Sequence, residues 1–269
     1  MTTYLTEYEI HVMGLQRTGQ HALVAWVTGH FDKVCFRNSV PRKHDINLIP
    51  EWWYFDLTDN DNFTWKTQKE GIIKEGQDAI ILGSEFRNDP IKLHHGLEKE
   101  KKEMANKAGF DEFSRYQYYL PVIRTPWNHL ASVLSWKKRW FFKHKERFTT
   151  AYINMAREYL GITNNLPSPK IFIKYDDWFA SKEYREGLSK QMGLPFSDKG
   201  LNIVMPIGWG KKGSSFDEME LKIRAQDMRV LERWKKYQNN NVEFKDVLKM
   251  RPELLELSHK IFGDPPFEI

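Results

Sequence analysis

Glu9-Ile10-His11-Val12-Met13-Gly14-Leu15-Gln16-Arg17-Thr18-Gly19-Gln20-His21-Ala22-Leu23-Val24-Ala25-Trp26-Val27 is the stretch from which the fold is read. EIHVM is a short run with β-branched residues and reads as a buried strand. A loop with two glycines five residues apart follows, and then ALVAWV, which is apolar enough to open a buried helix over Gln20 to Thr28. Glycine lets a backbone approach a ligand closely, a helix N-terminus offers unpaired N–H groups, and a cation and a hydroxyl such as Arg17 and Thr18 complete a shell around a phosphate. A tight turn with a buried glycine would use the same residues, so the loop alone decides little. Its spacing is that of a Walker A loop, but Gln20 and His21 stand where lysine and serine or threonine would. Phosphoryl transfer from ATP then lacks its two main electrostatic parts, and a P-loop-type kinase or hydrolase stays only as an alternative.

Three further segments read as strands: Asp78 to Leu82 (DAIIL), Tyr119 to Ile123 (YLPVI) and Lys170 to Lys174 (KIFIK). Helices are expected over Asn128 to Phe142 and Lys182 to Met192. Strand, loop and helix in this order predict an α/β fold, a single-domain parallel β-sheet flanked by helices, with a P-loop-like phosphate-binding loop. No internal repeat or linker divides residues 1–269. Ligands of such sheets bind at the C-terminal ends of the strands, so functional residues should follow the strands directly. Pro41 to Gly76 shows no clean periodicity despite WWYFD at 52–56, and Glu98 to Lys107 reads as a charged, solvated helix.

Composition narrows the classes. The 269 residues are 41% hydrophobic, enough for a large core, and the mean hydropathy of -0.64 with no long uncharged apolar run excludes a transmembrane helix. No secretory or transit signal is evident at the N-terminus, and Cys35, the sole cysteine, excludes an internal disulfide and suits a reducing cytoplasm. No His/Asp/Glu cluster has metal-ligand spacing, so no metal is expected. The surplus of 41 Lys+Arg over 36 Asp+Glu, a net +5, is mild and interspersed with acids. That argues against a dedicated nucleic-acid binder and suits a compact polyanionic ligand.

The strand YLPVI runs into Arg124-Thr125-Pro126-Trp127-Asn128-His129-Leu130-Ala131-Ser132. An arginine at a strand end and a serine eight residues on, inside the following helix, can converge on one anion. An N-capped helix with an incidental arginine is the simpler account of that pattern alone. In order along the chain, however, the two stretches resemble the donor-binding signatures of sulfotransferases. The loop is similar to their 5′-phosphosulfate loop, with Arg17 in the basic position, Thr18 at the serine, Gly19 at the glycine, and Gln20 and His21 at the polar residues that follow. The resemblance implies that Gln16 through His21 line the 5′-phosphosulfate of 3′-phosphoadenylyl sulfate. Ala22 departs from the aromatic residue that often packs on adenine. Arg124 and Ser132 fall on the family's 3′-phosphate positions, with Thr125 departing from the usual acid or amide.

Lys170 to Asp177 (KIFIKYDD) is similar to the family's strand ending in Y-E-D, which implies that Tyr175 borders the adenine. Gly213 to Met219 (GSSFDEM) resembles the stretch that wraps the purine, implying Phe216 and Met219 around the base and Ser214 as a donor to it. The late R-K-G segment is not cleanly present: Lys211-Lys212-Gly213 comes too early, while Arg229 and Arg233 lie nearer the expected order, and Arg229 is taken as the third 3′-phosphate cation.

The implied chemistry is sulfuryl transfer from 3′-phosphoadenylyl sulfate to a hydroxyl or amine by in-line displacement. Arg17 would stabilise the charge that grows on the leaving bisphosphate, and a general base would take the acceptor's proton. Strand DAIIL leads to Gly83-Ser84-Glu85-Phe86-Arg87, which makes Glu85 the candidate base, with His94 or His95 as alternatives and a surface ion pair with Arg87 as the plain account of Glu85. A small-molecule or carbohydrate acceptor is expected. The aromatic and cationic stretches Trp52-Trp53-Tyr54 and Trp136 to Phe142 (WKKRWFF) serve either an acceptor or the core. A non-catalytic nucleotide- or nucleic-acid-binding protein on the same fold is the second alternative, on the strength of WKKRWFF. Oligomeric state has no signal here.

Overall fold

The structure, a computed structural model, describes residues 2–37, 52–56, 64–68, 77–86, 101–103, 105–203, 228–238 and 242–269. Strand β1 (Tyr4–Leu15) runs through the middle of a seven-stranded sheet. It lies parallel to β5 (Ala79–Phe86) on one side and to β6 (Glu112–Ile123) on the other. β2 (Lys33–Arg37) adds to β5 and β7 (Ile173–Lys174) to β6, both parallel. β3 (Trp52–Asp56) and β4 (Thr64–Gln68) continue the sheet antiparallel beyond β2, giving the order β4-β3-β2-β5-β1-β6-β7. The chain leaves β1 toward β2 and β5 and later crosses to β6 and β7. The direction of winding therefore reverses at β1, and a crevice opens at its C-terminal end, where such sheets bind ligands.

Both faces of the five parallel strands are covered. Ile10 and Val12 of β1, with Ile81, Leu120 and Val122, pack against α1 (Gln20–Thr28), α4 (Tyr175–Ala180) and α5 (Lys182–Gln191). Met13 and Leu15, with Tyr119 and Ile123, face α2 (Pro126–Lys143), α3 (Lys145–Tyr159), α6 (Val242–Lys249) and α7 (Pro252–Phe262). Both faces of the centre of β1 are buried, so its aliphatic residues contribute about 1.5–3 kcal/mol each, and its alternating polar residues Glu9 and His11 are buried as well and need partners inside the protein. Among the described residues, no helix is long and apolar enough to cross a membrane.

Two expectations are corrected. Lys170 to Lys174 is only partly a strand: Lys170 forms an isolated bridge to Tyr119, and regular pairing is limited to Ile173–Lys174. The 101–107 helix is not merely solvated, because Lys101 is 4% exposed and its Nζ donates to Glu9 Oε1 at 2.7 Å. Glu9, 1% exposed in the middle of β1, also accepts from Ser114 Oγ at 2.9 Å, Gln117 Nε2 at 3.1 Å and His11 Nε2. The lysine was misread because its partner lies 92 residues away, beyond any local pattern.

Burial by itself would raise the Glu9 pKa, but the hydrogen bond and charge of His11 and then of Lys101 outweigh it and hold the carboxyl at about 2, against 4.5. A depressed carboxylate stabilises the fold fully above pH 4.5, and that contribution is lost as pH falls toward 2. The loss should approach roughly 3 kcal/mol at about 1.4 kcal/mol per pKa unit. Urea unfolding between pH 6 and 2 measures it. In Glu9→Gln this part of the acid slope should flatten, and an unchanged slope would show that the cluster contributes none of it.

Candidate active site

The loop between β1 and α1 is held by its own side chains. Thr18, 1% exposed, donates from its backbone N–H at 3.1 Å and from Oγ1 at 2.8 Å to the Leu15 carbonyl, so its hydroxyl braces the loop from within. Gln20 is also turned inward, and its Nε2 donates to the Val12 carbonyl at 2.9 Å. Gly83 on β5 makes room for that crossing, since a Cβ there would lie 3.0 Å from Gln20 Nε2 and would crowd it. Arg17 has φ 75°, a left-handed conformation that costs a non-glycine residue about 1–3 kcal/mol and is found where surroundings enforce it. Gly19 follows at φ 100° and packs flush on the Tyr175 ring. α1 then opens at Gln20, directly after Gly19, so the loop leads into a helix N-terminus, which favours an anion.

A second cationic cluster forms where β6 ends. Arg124, 2% exposed, donates through Nη2 to the Val230 carbonyl and lies over the Tyr175 ring, 4.7 Å from its centroid. Its buried Nε has no hydrogen-bond partner among the described residues. Two turns into α2, Ser132 Oγ accepts from Arg233 Nη1 at 3.1 Å. Arg233 begins a 3₁₀ turn, Arg233–Lys236, which is anchored by Trp234 stacking on Phe267 with centroids 4.9 Å apart. The late cation beside Ser132 is therefore Arg233, whereas Arg229 is exposed at the turn before it. Sequence order brought both arginines into view, but only the anchoring of Trp234 distinguishes them.

Asp176 offsets part of this positive charge. Its carboxylate accepts from Thr125 N at 2.8 Å, Thr125 Oγ1 at 3.3 Å and Asn128 Nδ2 at 3.2 Å, capping the start of α2 from another element. Thr125 therefore takes part in the turn as a donor to Asp176. Asn128 Nδ2 also donates to Leu231 O at 2.8 Å, tying the 228–238 segment to α2. Sequence reasoning missed this use of Asp176, although the paired acids of KYDD were the available signal.

His129 links the two clusters. It is fully buried, and its Nε2 donates to the Gln16 carbonyl at 2.8 Å. Burial above all, opposed by the Gln16 bond and reinforced by the charges of Arg124 and Arg17, holds its pKa at about 3. Tyr175 has a pKa raised by burial and feels the charges of Arg124 and Arg233. With 3% exposure it is a wall between Gly19 and Arg124. Two arginines act on His129 and two on Tyr175, with Arg124 common to both, so three cations from three parts of the chain surround one region.

Glu85 pairs in register with Gly14, the first residue of the loop, at the C-terminal end of β5, while its side chain lies outside the described part of the structure. Ser214, Phe216, Met219, Lys211, Lys212, His94 and His95 lie outside the described residues, as do the side chains of 52–54 and 136–142. Among the described residues, no three His, Cys, Asp or Glu side chains gather so as to hold a metal ion.

Neither a family model nor a curated protein matches the sequence. Solved structures do match the fold. The sulfotransferase domain of the Synechococcus PCC 7002 olefin synthase aligns over 99% of this chain and 98% of its own, with a TM-score of 0.53 at 11% identity. The sulfotransferase domain of the curacin biosynthetic pathway aligns over 98% of this chain and 100% of its own, with a TM-score of 0.51 at 11% identity. The architecture reached from the glycine loop outward is therefore the fold of sulfotransferase domains.

Proposed function

We propose that this chain is a sulfotransferase that uses 3′-phosphoadenylyl sulfate and acts on a hydroxyl or amine of a small-molecule or carbohydrate acceptor. The observation that carries the reading is the meeting of Arg233 with Ser132 at 3.1 Å beside the buried Arg124, at the same end of the sheet as the Gly14–Gly19 loop. Desolvating guanidinium groups is costly unless something compensates them, and the Arg124 Nε has no partner among the described residues. A ligand with two phosphate-type groups fits that arrangement: one at the helix N-terminus and Arg17, the other between Arg124, Ser132 and Arg233. The donor would supply a sulfuryl group on a bisphosphate leaving group.

On this reading, Arg17 and the first N–H groups of α1 hold the leaving group's growing negative charge. Arg124 and Arg233 fix the far phosphate and so orient the donor. Glu85 takes the acceptor's proton, and its support is register, since residue 85 stands directly across from Gly14. Gln20, bonded to the Val12 carbonyl, supplies no cation where a nucleoside-triphosphate enzyme has its lysine.

Calorimetric titration with adenosine 3′,5′-bisphosphate, ATP with Mg²⁺ and a single-stranded oligonucleotide tests the reading. The bisphosphate should bind and the others bind far more weakly; binding of either competitor without the bisphosphate would overturn it. Glu85→Gln should lower kcat about a hundredfold, within the range of general-base effects, with bisphosphate affinity within twofold of the parent. Full turnover in that variant would remove Glu85 as the base and leave the donor site standing.

A further inference from the structure

We infer that His129 is a positioning residue for the 5′ side of the donor site, holding the Gln16–Arg17 peptide in the orientation that sends Arg17 into its left-handed conformation. The inference rests on the reading of the Gly14–Gly19 loop as an anion site, and it goes beyond that reading by assigning what sets the loop's shape. Sequence gave the histidine no role, since it falls between Arg124 and Ser132 in a helix.

The geometry is specific. The Gln16 carbonyl that accepts from His129 Nε2 at 2.8 Å belongs to the same planar peptide as the Arg17 N–H. In a trans peptide the two bonds point in opposite directions, so drawing the carbonyl toward α2 fixes where the Arg17 N–H points. A flip of that peptide would rotate Arg17 φ away from 75° toward the ordinary negative region, which is the direction in which backbone strain relaxes. The Thr18 bonds to Leu15 hold the peptides on either side, and the His129 bond acts directly on the peptide that would flip.

The side chain suits a fixed strut. The ring is completely buried against Phe148 and Tyr152, with centroids at 4.8 and 6.3 Å, and cannot swing away without opening the core. Donation to a carbonyl requires the proton on Nε2 in the neutral ring, which leaves Nδ1 bare, and Nδ1 is buried with no hydrogen-bond partner among the described residues. The charges that face it are Arg17 and Arg124, both of which oppose a positive imidazole. Because His129 is on α2, which also carries Ser132, the bond ties loop geometry to the helix of the other phosphate cluster.

Two variants and one measurement on the unmodified chain test this. Glutamine places an N–H donor near the position of Nε2, whereas leucine fills volume without one. Affinities are measured for adenosine 5′-monophosphate, which addresses the loop, and adenosine 3′-monophosphate, which addresses the Arg124 cluster. His129→Leu should weaken the 5′-monophosphate at least tenfold and the 3′-monophosphate less than threefold, and His129→Gln should recover most of the loss. Equal weakening of both ligands, or equal loss in the two variants, would reduce His129 to a packing residue and overturn the inference. Imidazole ¹⁵N resonances of the unmodified protein should show a neutral ring protonated at Nε2 from pH 8 to pH 5, and an Nδ1–H tautomer would overturn it without any variant. If the unmodified chain bound neither monophosphate nor the bisphosphate, the donor-site reading itself would fail, an outcome distinct from any of these.

Discussion

Arg124→Ala is expected to weaken binding of adenosine 3′,5′-bisphosphate by about a thousandfold, the sum of two charge-assisted hydrogen bonds at roughly 2 kcal/mol each with about 1.4 kcal/mol per tenfold. The fork does more than meet a ligand. It holds the Val230 carbonyl and covers the Tyr175 ring, so truncation also frees the segment that delivers Arg233. Arg233→Ala alone should cost less, about thirtyfold, because Ser132 and Arg124 remain. The double variant should then lose less than the product of the two, since each guanidinium depends on the segment the other helps to place. Arg124→Lys keeps a charge but cannot bond Val230 and a phosphate in one plane, and it should recover only part of the loss. A bisphosphate affinity unchanged in Arg124→Ala would detach this cluster from the donor altogether.

The parts of this architecture that local pattern governs were legible in the sequence. The helix expected over Gln20 to Thr28 is α1 as observed, because a glycine loop and an unbroken apolar run leave few other solutions. β5 was visible as DAIIL for the same reason. β2 was missed, since KVCFR has only three apolar residues between charges and becomes a strand through pairing with β5. β3 and β4 were hidden in a stretch without periodicity and form an antiparallel addition beyond the parallel strands.

In the site, order along the chain selected Arg17, Arg124 and Ser132, which do stand at strand ends or in the helices that follow. What could not be read was which of two late arginines reaches Ser132, or that His129 spans to Gln16 across 113 residues. Such contacts depend on where a 3₁₀ turn is anchored and how a helix is rotated, and neither leaves a local periodic trace. Lys101 shows the same limit from the other side: its charge belongs to a partner in β1, so a charge run read alone gave the wrong environment.

Gly19→Ala is expected to destabilise the fold by about 4 kcal/mol, the sum of a left-handed backbone penalty near 1 kcal/mol and an overpacking cost near 3 kcal/mol. A Cβ on Gly19 would lie 2.0 Å from Cε2 of Tyr175, closer than any real contact, and the ring it meets is buried with Arg124 against it. Gly109 separates the two costs. Its φ of +83° is similarly left-handed, but a Cβ there meets nothing within 4 Å. Gly109→Ala should therefore cost only about 1 kcal/mol. At roughly 2–4 °C per kcal/mol for a chain of this size, the melting temperatures should differ by about 6–12 °C. The excess in Gly19→Ala measures how little the Tyr175 ring can yield between the loop and Arg124. Relief of that overlap must push the ring toward Arg124 or the loop away from α1, and either movement displaces a phosphate group, so bisphosphate affinity should fall together with stability. Equal melting temperatures for the two alanine variants would mean that the ring yields freely, and Tyr175 could then no longer be the rigid wall that holds the two cationic clusters at a fixed separation.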